Sequence, residues 1–242
     1  MKEMFGLPGG RNFLLVLCLC MGAVLSAAVS VPVSVVGISS KSVRLDVELI
    51  MQKPELPRGC EVTSLAMLLN YSGIDADKKI LAEQVKRDPT PYRNRKGKVH
   101  AGNPHYGFVG DMYSLENFGL GVYHGPIYKL ARRYSSEAVD LTGCEFDEIY
   151  KTLDSGYPVW IITNCKFKPL DDGEFQTWYT PEGPMSVTYN EHSVVVTGYD
   201  GDYIYVNDPL YGQTRHEREP FIEAWYQMGQ QAVACCPAKT RK

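Results

Sequence analysis

The chain has 242 residues, 44% hydrophobic and 22% charged, with a formal net charge of −3 and an isoelectric point near 6.0. That length and composition suit one large globular domain. The balance excludes a nucleic-acid binder, because phosphate neutralisation needs a concentrated basic surface and the only cluster, Arg93, Arg95, Lys96 and Lys98, has the pattern of a solvated loop.

Lys2 and Arg11 precede the apolar run FLLVLCLCMGAVL, which ends in the small residues Ser26, Ala27 and Ala28. This is the pattern of an export signal. Apolar character continues through VSVPVSVVGI, and about 20 such residues would span a bilayer, so residues 1–38 form either a signal cleaved after Ala28 or a single-pass anchor. The basic residues ahead of the run place the remainder, 39–242, outside the cytoplasm, secreted or anchored at the extracytoplasmic face. Five cysteines follow that segment, an odd number for an oxidising location, so at least one stays out of intrachain pairing.

In chain order, SVRLDVEL alternates as a strand, MQKPELPRG is a loop, and the apolar spacing of Val62, Leu65, Ala66, Leu68 and Leu69 predicts an amphipathic helix from Cys60 to a stop at Gly73. A second helix follows, capped by Asp75 or Asp77. Residues 88–112 carry the Pro, Gly and Asn of a loop. MYSLENFG predicts a helix, GVYHG a strand, FDEIYKTLDSG a helix and YPVWIIT a buried strand. TWYTPEGPMSVTYNE is expected to be a loop, and HSVVVTGY and DYIYVND are two further strands. Helices first and mostly antiparallel strands afterwards describe an α+β domain.

A thiolate nucleophile needs a lowered pKa, which a helix N-terminus supplies, and a base held by a third group. Cys60 occupies such a terminus, although buried cysteine is usually an inert hydrophobe. His192 opens one strand and Asp208 closes the next. A three-residue turn pairing Tyr199 with Tyr203 would set 192 opposite 210 and 194 opposite 208, making His192 and Asp208 diagonal neighbours on one face, about 7–8 Å apart at the backbone. A two-residue turn without a bulge would send them to opposite faces. The plain alternatives are a strand-end histidine bonded to backbone and a routine turn aspartate before Pro209. Among other histidines, His100 and His105 with Asp111 fit no common zinc spacing. His124 has the setting of a core or edge strand residue, and His216 lies in the charged stretch RHERE. The DGD at 200–202 is a hairpin turn. Trp178, Tyr179 and Tyr189 either wall a cleft or cover a sheet edge.

QKPELPRGCEVTSLAMLLNYSG and HSVVVTGYDGDYIYVNDPLYG together resemble the C39-like branch of the papain-like cysteine peptidases, relatives of the domains that cleave double-glycine leaders from bacteriocin precursors. The likeness extends through GNPHYGFVGDMY and YPVWIIT. It implies a papain-like fold, N-terminal helices packed on a mostly antiparallel sheet, with Cys60 as nucleophile, His192 as base, Asp208 orienting the imidazole and Gln52 as oxyanion donor. Gln52 stands eight residues before Cys60, a longer interval than in the leader peptidases, and Gly-Cys-Glu replaces their usual Asp-Cys-Gly, so an ordinary loop role for Gln52 stays open. No transporter or ATP-binding segment accompanies the domain, and leader cleavage coupled to export does not follow. The expectation is an exported thiol peptidase acting on a peptide or protein, without cofactor or metal. A peptidoglycan-directed amidase or endopeptidase, acting on cell-wall peptide, and a non-catalytic binding module are the alternatives.

Overall fold

The computed structural model describes residues 41–236. The expected export or anchor segment, 1–38, lies outside them. Among the described residues no helix is long and apolar enough to cross a membrane.

The first strand, β1 (Val43–Arg44), is shorter than its alternating pattern predicts. Beyond it the chain stays extended, tied by single bonds from Leu45 N–H to Thr197 O and from Asn207 Nδ2 to Val47 O. Its docking requires Gly198 opposite, since a Cβ there would lie 2.1 Å from Val43 O. Helix α1 (Cys60–Tyr71) is not amphipathic: every residue from Cys60 to Leu69 is buried, so it runs through the core rather than over it. It stops as expected at Gly73, whose φ of +79° permits a Schellman ending with Ile74 N–H donating to Leu69 O and Gly73 N–H to Asn70 O. Asp77, not Asp75, caps α2 (Lys78–Gln84) by accepting from the N–H groups of Lys79 and Ile80.

Residues 88–112 hold more order than a loop. Strand β2 (Arg87–Asp88) pairs in parallel with β5 (Phe108–Val109), and the basic cluster forms an exposed hairpin of β3 (Arg93–Arg95) and β4 (Lys98–His100). The helix expected at MYSLENFG does not form. Asp111 and Ser114 side chains accept from the N–H groups two residues on, Tyr113 and Glu116, and these local turns displace the helical ladder. Where GVYHG promised a strand, α3 (His124–Tyr134) begins instead; Pro126 suits its first turn, and Ile127, Leu130 and Ala131 bury one face. After β6 (Ala138–Asp140), α4 (Phe146–Asp154) and β7 (Val159–Asn164) form where the sequence places them. The expected aromatic loop is a hairpin of β8 (Gln176–Thr180) and β9 (Gly183–Val187), with β8 parallel to β4.

Strands β10 (Glu191–Tyr199), β11 (Tyr203–Asp208), β12 (Gly212–Glu217) and β13 (Ala232–Cys235), with α5 (Arg218–Gln227), complete the domain. The main sheet runs β12–β11–β10–β7–β13–β6, antiparallel throughout, with β1 also on β10. Strand periodicity splits β7 between two cores. Trp160 and Ile162 meet α1 and α3, whereas Val159 and Ile161 meet α4 and α5. Helices therefore cover both faces of the sheet, and each fully buried leucine or isoleucine, such as Leu65, Leu68 or Ile162, contributes about 1.5–3 kcal/mol.

Candidate active site

The β10–β11 turn differs from expectation and still delivers the same alignment. Tyr199 pairs with Ile204 and Gly198 with Tyr205, one residue off the three-residue-turn register. The register then shifts between Val196 and Gly198, so that Val196 meets Val206 and Val195 meets Asn207. One added turn residue and one bulge cancel, leaving His192 and Asp208 on one face. His192 Nε2 lies 2.9 Å from Asp208 Oδ1, and both side chains are buried. The same Oδ1 accepts from Leu210 N–H at 2.7 Å and Tyr211 N–H at 3.2 Å. Asp208 thus shapes the turn after Pro209 and holds the imidazole at once. The edge of Phe167 packs beside His192, with ring centroids 6.1 Å apart.

Cys60 opens α1 as expected, but its surroundings reverse the electrostatic expectation. Burial pushes the thiol well above its ordinary pKa, and Glu61 and Glu191 push in the same direction, against a hydrogen bond from the Ser193 backbone. Desolvation and two acids outweigh the helix terminus. The thiol donates to Glu61 Oε2 at 3.4 Å, and among the described residues no hydrogen bond joins it to His192. Glu61 is wholly buried; its Oε1 accepts from Val122 N–H at 2.6 Å, and burial pushes its carboxyl up to about 7. Burial, then the neighbouring Glu61, raises Glu191 as well. Neither acid signals a role in the sequence, where one looks like a first-turn helix acid and the other like a strand-end polar residue. Only the folded chain brings Glu191 to the sulfur and turns the Glu61 carboxyl onto it out of water.

Gln52 is buried rather than an exposed loop residue. Its Nε2 donates to Pro57 O at 2.8 Å and Leu56 O at 3.2 Å, and its backbone N–H donates to Pro209 O, so it braces the loop before α1 against the turn after Asp208. Gln52, Cys60, Glu191 and His192 line one cavity of about 580 Å³, with Leu115, Phe118, Tyr189, Leu210 and Tyr211 as apolar lining and Cys165 also present. Tyr189 thus belongs to the cleft, whereas Trp178 is buried in a separate core cluster and Tyr179 stacks on His100.

The remaining histidines lie elsewhere. His124 is the first residue of α3, with Nδ1 3.0 Å from Asp140 Oδ2, and His105 faces it with ring centroids 6.2 Å apart. His216 lies between exposed Arg215 and Glu217 on β12 but is itself half-buried and stacks on Phe167 at 3.7 Å. Asp111 is occupied with Tyr113 N–H and Asn117. Among the described residues, the one group of acids, thiols and imidazoles at metal-ligand spacing is Cys60, Glu61 and Glu191.

This helix-covered antiparallel sheet, which brings Cys60 and His192 to one cleft with Asp208 bonded to the imidazole, is the fold of the C39-like peptidases. The chain belongs to the Peptidase_C39 like family, whose model matches residues 44–233. It is 50% identical over 185 residues to the uncharacterized protein YvpB of Bacillus subtilis (strain 168), covering 76% of this chain and 71% of that one. A crystal structure from Bacillus anthracis, provisionally described as a C39-like peptidase, superposes with a TM-score of 0.76 at 48% identity, covering 81% of this chain and 98% of that one. A remoter match, a double glycine motif protease from an AMS/PCAT transporter in complex with the leader peptide, has a TM-score of 0.43 and 19% identity over 79% of this chain and 91% of that one. Nothing about substrate transfers at that distance.

Proposed function

We propose that the protein is an exported cysteine peptidase that hydrolyses a peptide or amide bond through Cys60, His192 and Asp208. The observation that carries this reading is the 2.9 Å bond between buried Asp208 Oδ1 and Nε2 of His192, which lines a cavity together with Cys60. A carboxylate can only accept, so it fixes the proton on Nε2 and leaves the Nδ1 lone pair as the base. The thiol gives up its bond to Glu61, passes its proton to Nδ1, and the sulfur attacks the substrate carbonyl. Catalytic hydrogen bonds of this kind commonly tighten only once substrate is bound. The Cys60 backbone N–H and Gln52 Nε2 are the donors for the resulting oxyanion, the latter by releasing its longer bond to Leu56 O. The imidazolium then protonates the leaving amine, and water attacks the thioester to free the acid and restore the thiol.

The apolar lining of the cleft suits an extended peptide with bulky side chains. Trials of linear peptides against cell-wall peptides separate the peptidase from the peptidoglycan-directed reading. A Cys60→Ser variant abolishes hydrolysis of whichever is cleaved, and alkylation of Cys60 slows in His192→Ala. One observation favours a non-catalytic binding module: the thiol is bonded to Glu61 and held protonated. That reading requires intact Cys60→Ser function and an alkylation rate indifferent to His192.

A further inference from the structure

Two acids beside a buried thiol demand a reason, because carboxyl groups out of water are costly even where, like Glu61, they accept hydrogen bonds. Cys60 Sγ, one Glu61 oxygen and one Glu191 oxygen all lie within 4.8 Å of one another, and the Cys60–Glu61 pair is 3.4 Å apart. Tetrahedral zinc, with Zn–S of about 2.3 Å and Zn–O of about 2.0–2.2 Å, spaces sulfur and oxygen ligands about 3.6 Å apart and two oxygens about 3.4 Å apart. The three groups thus need only small side-chain adjustments to surround such an ion. A separate observation points the same way. Glu191 Oε1 is buried and has no hydrogen-bond donor. The missing side chain of Gly121 leaves room for both carboxyl groups, since a Cβ there would lie 2.3 Å from Glu61 Oε1 and 2.7 Å from Glu191 Oε2.

We propose that Cys60, Glu61 and Glu191 form a binding site for a thiophilic divalent cation of the Zn²⁺ type, and that the bound ion silences the peptidase by taking the nucleophilic sulfur as a ligand. The regulatory half rests on Cys60 being the nucleophile; the site itself does not. Thiolate with two carboxylates is a borderline-soft donor set that disfavours Ca²⁺ and Mg²⁺, which take more oxygen ligands. Binding requires the thiol and carboxyl groups deprotonated, so the ion competes with protons and a water or substrate atom completes the coordination. No redox step is involved.

The test uses the chain freed of metal by chelation. Zn²⁺ affinity is measured by competition with a chromophoric chelator, and Co²⁺ serves as the spectroscopic probe. One Zn²⁺ binds per chain at micromolar concentration or below, and Co²⁺ gives a thiolate-to-metal charge-transfer band that Cys60→Ser removes. Glu191→Gln weakens Zn²⁺ binding at least about tenfold, the scale of a lost contact at a metal site, with an unchanged melting temperature of the metal-free protein. Glu191→Asp, one methylene shorter, gives the same direction if the glutamine variant does not fold. His192→Ala leaves the affinity within about threefold. The proposal fails if no stoichiometric binding occurs, or if affinity ignores both Glu191 variants and collapses in His192→Ala, which would place the ion on a simple Cys–His pair. Stoichiometric binding by a chain inert towards every substrate overturns the peptidase reading and leaves the site standing. Hydrolysis that continues at saturating Zn²⁺ overturns the regulation alone.

Discussion

Replacing Asp208 by asparagine and by alanine separates the charge of that side chain from its geometry. Oδ1 accepts three bonds, from His192 Nε2, Leu210 N–H and Tyr211 N–H. In Asp208→Asn the two backbone donors hold the amide oxygen in the same place, because a flipped amide would set N–H against N–H. The imidazole therefore keeps its tautomer and loses the charge opposite it, while the amide NH₂ takes the buried, partnerless Oδ2 position. Hydrogen bonds to charged groups are worth about 1.5–3 kcal/mol against 0.5–1.5 for neutral ones, and the neutral side chain no longer carries a buried charge. The net loss is about 1–2 kcal/mol, or roughly 2–8 °C in melting temperature for a domain of this size. The same 1–2 kcal/mol, lost from the imidazolium in the transition state, slows hydrolysis roughly 5–30-fold. Asp208→Ala leaves three donors unmatched, one of them on a buried ring, and costs about 3–5 kcal/mol. Its melting temperature drops roughly 6–20 °C, and its rate falls by up to about 10²–10⁴, the worth of the general base that it orients. Circular-dichroism melts and hydrolysis rates measure both. An asparagine variant as damaged as the alanine one would refute the claim that the turn donors fix the acceptor.

Gly198→Ala drives a Cβ into Val43 O, releasing β1 from β10 at a cost of about 1–3 kcal/mol; amide exchange rises at 43–45 while α1 stays protected. Leu68→Ala, at a fully buried position of α1, costs about 2–5 kcal/mol, read by denaturant midpoint at unchanged m-value. Burial lowers the His216 pKa below its ordinary value in the folded state, against the opposing pull of Asp208. The folded protein thus binds this proton less readily than the unfolded chain. Its contribution to stability is present above the unfolded-state pKa near 6.5 and is lost as pH falls towards the folded value. His216→Phe, which keeps the stack on Phe167 and Phe221, flattens this acid limb in pH-dependent melts.

Elements whose apolar runs exceed any competing local signal were legible in sequence: α1, β7, β10 and β11 form where their runs lie. The hexad after Met112 was misread because the same residues can satisfy their backbone through Asp111 and Ser114 side chains. The strand expected before α3 hid a helix start that Pro126 marks, and Pro184 and Gly183 disguised β9 as a loop although Trp178 and Val187 bury the hairpin. The His–Asp partnership was readable from register arithmetic. The acids around Cys60 were not, since a glutamate in a first helical turn and another at a strand end look the same whether water or a sulfur lies beside them.

The irregularity between Val196 and Gly198 frees the turn from a strict length requirement. Removing one residue from 200–203 while β10 straightens, or adding one while it kinks further, would keep the histidine and aspartate in phase. Relatives can therefore differ by single-residue gaps around this corner and retain the pair. A designed deletion of Gly201 should likewise be absorbed by the strand rather than by the reactive centre.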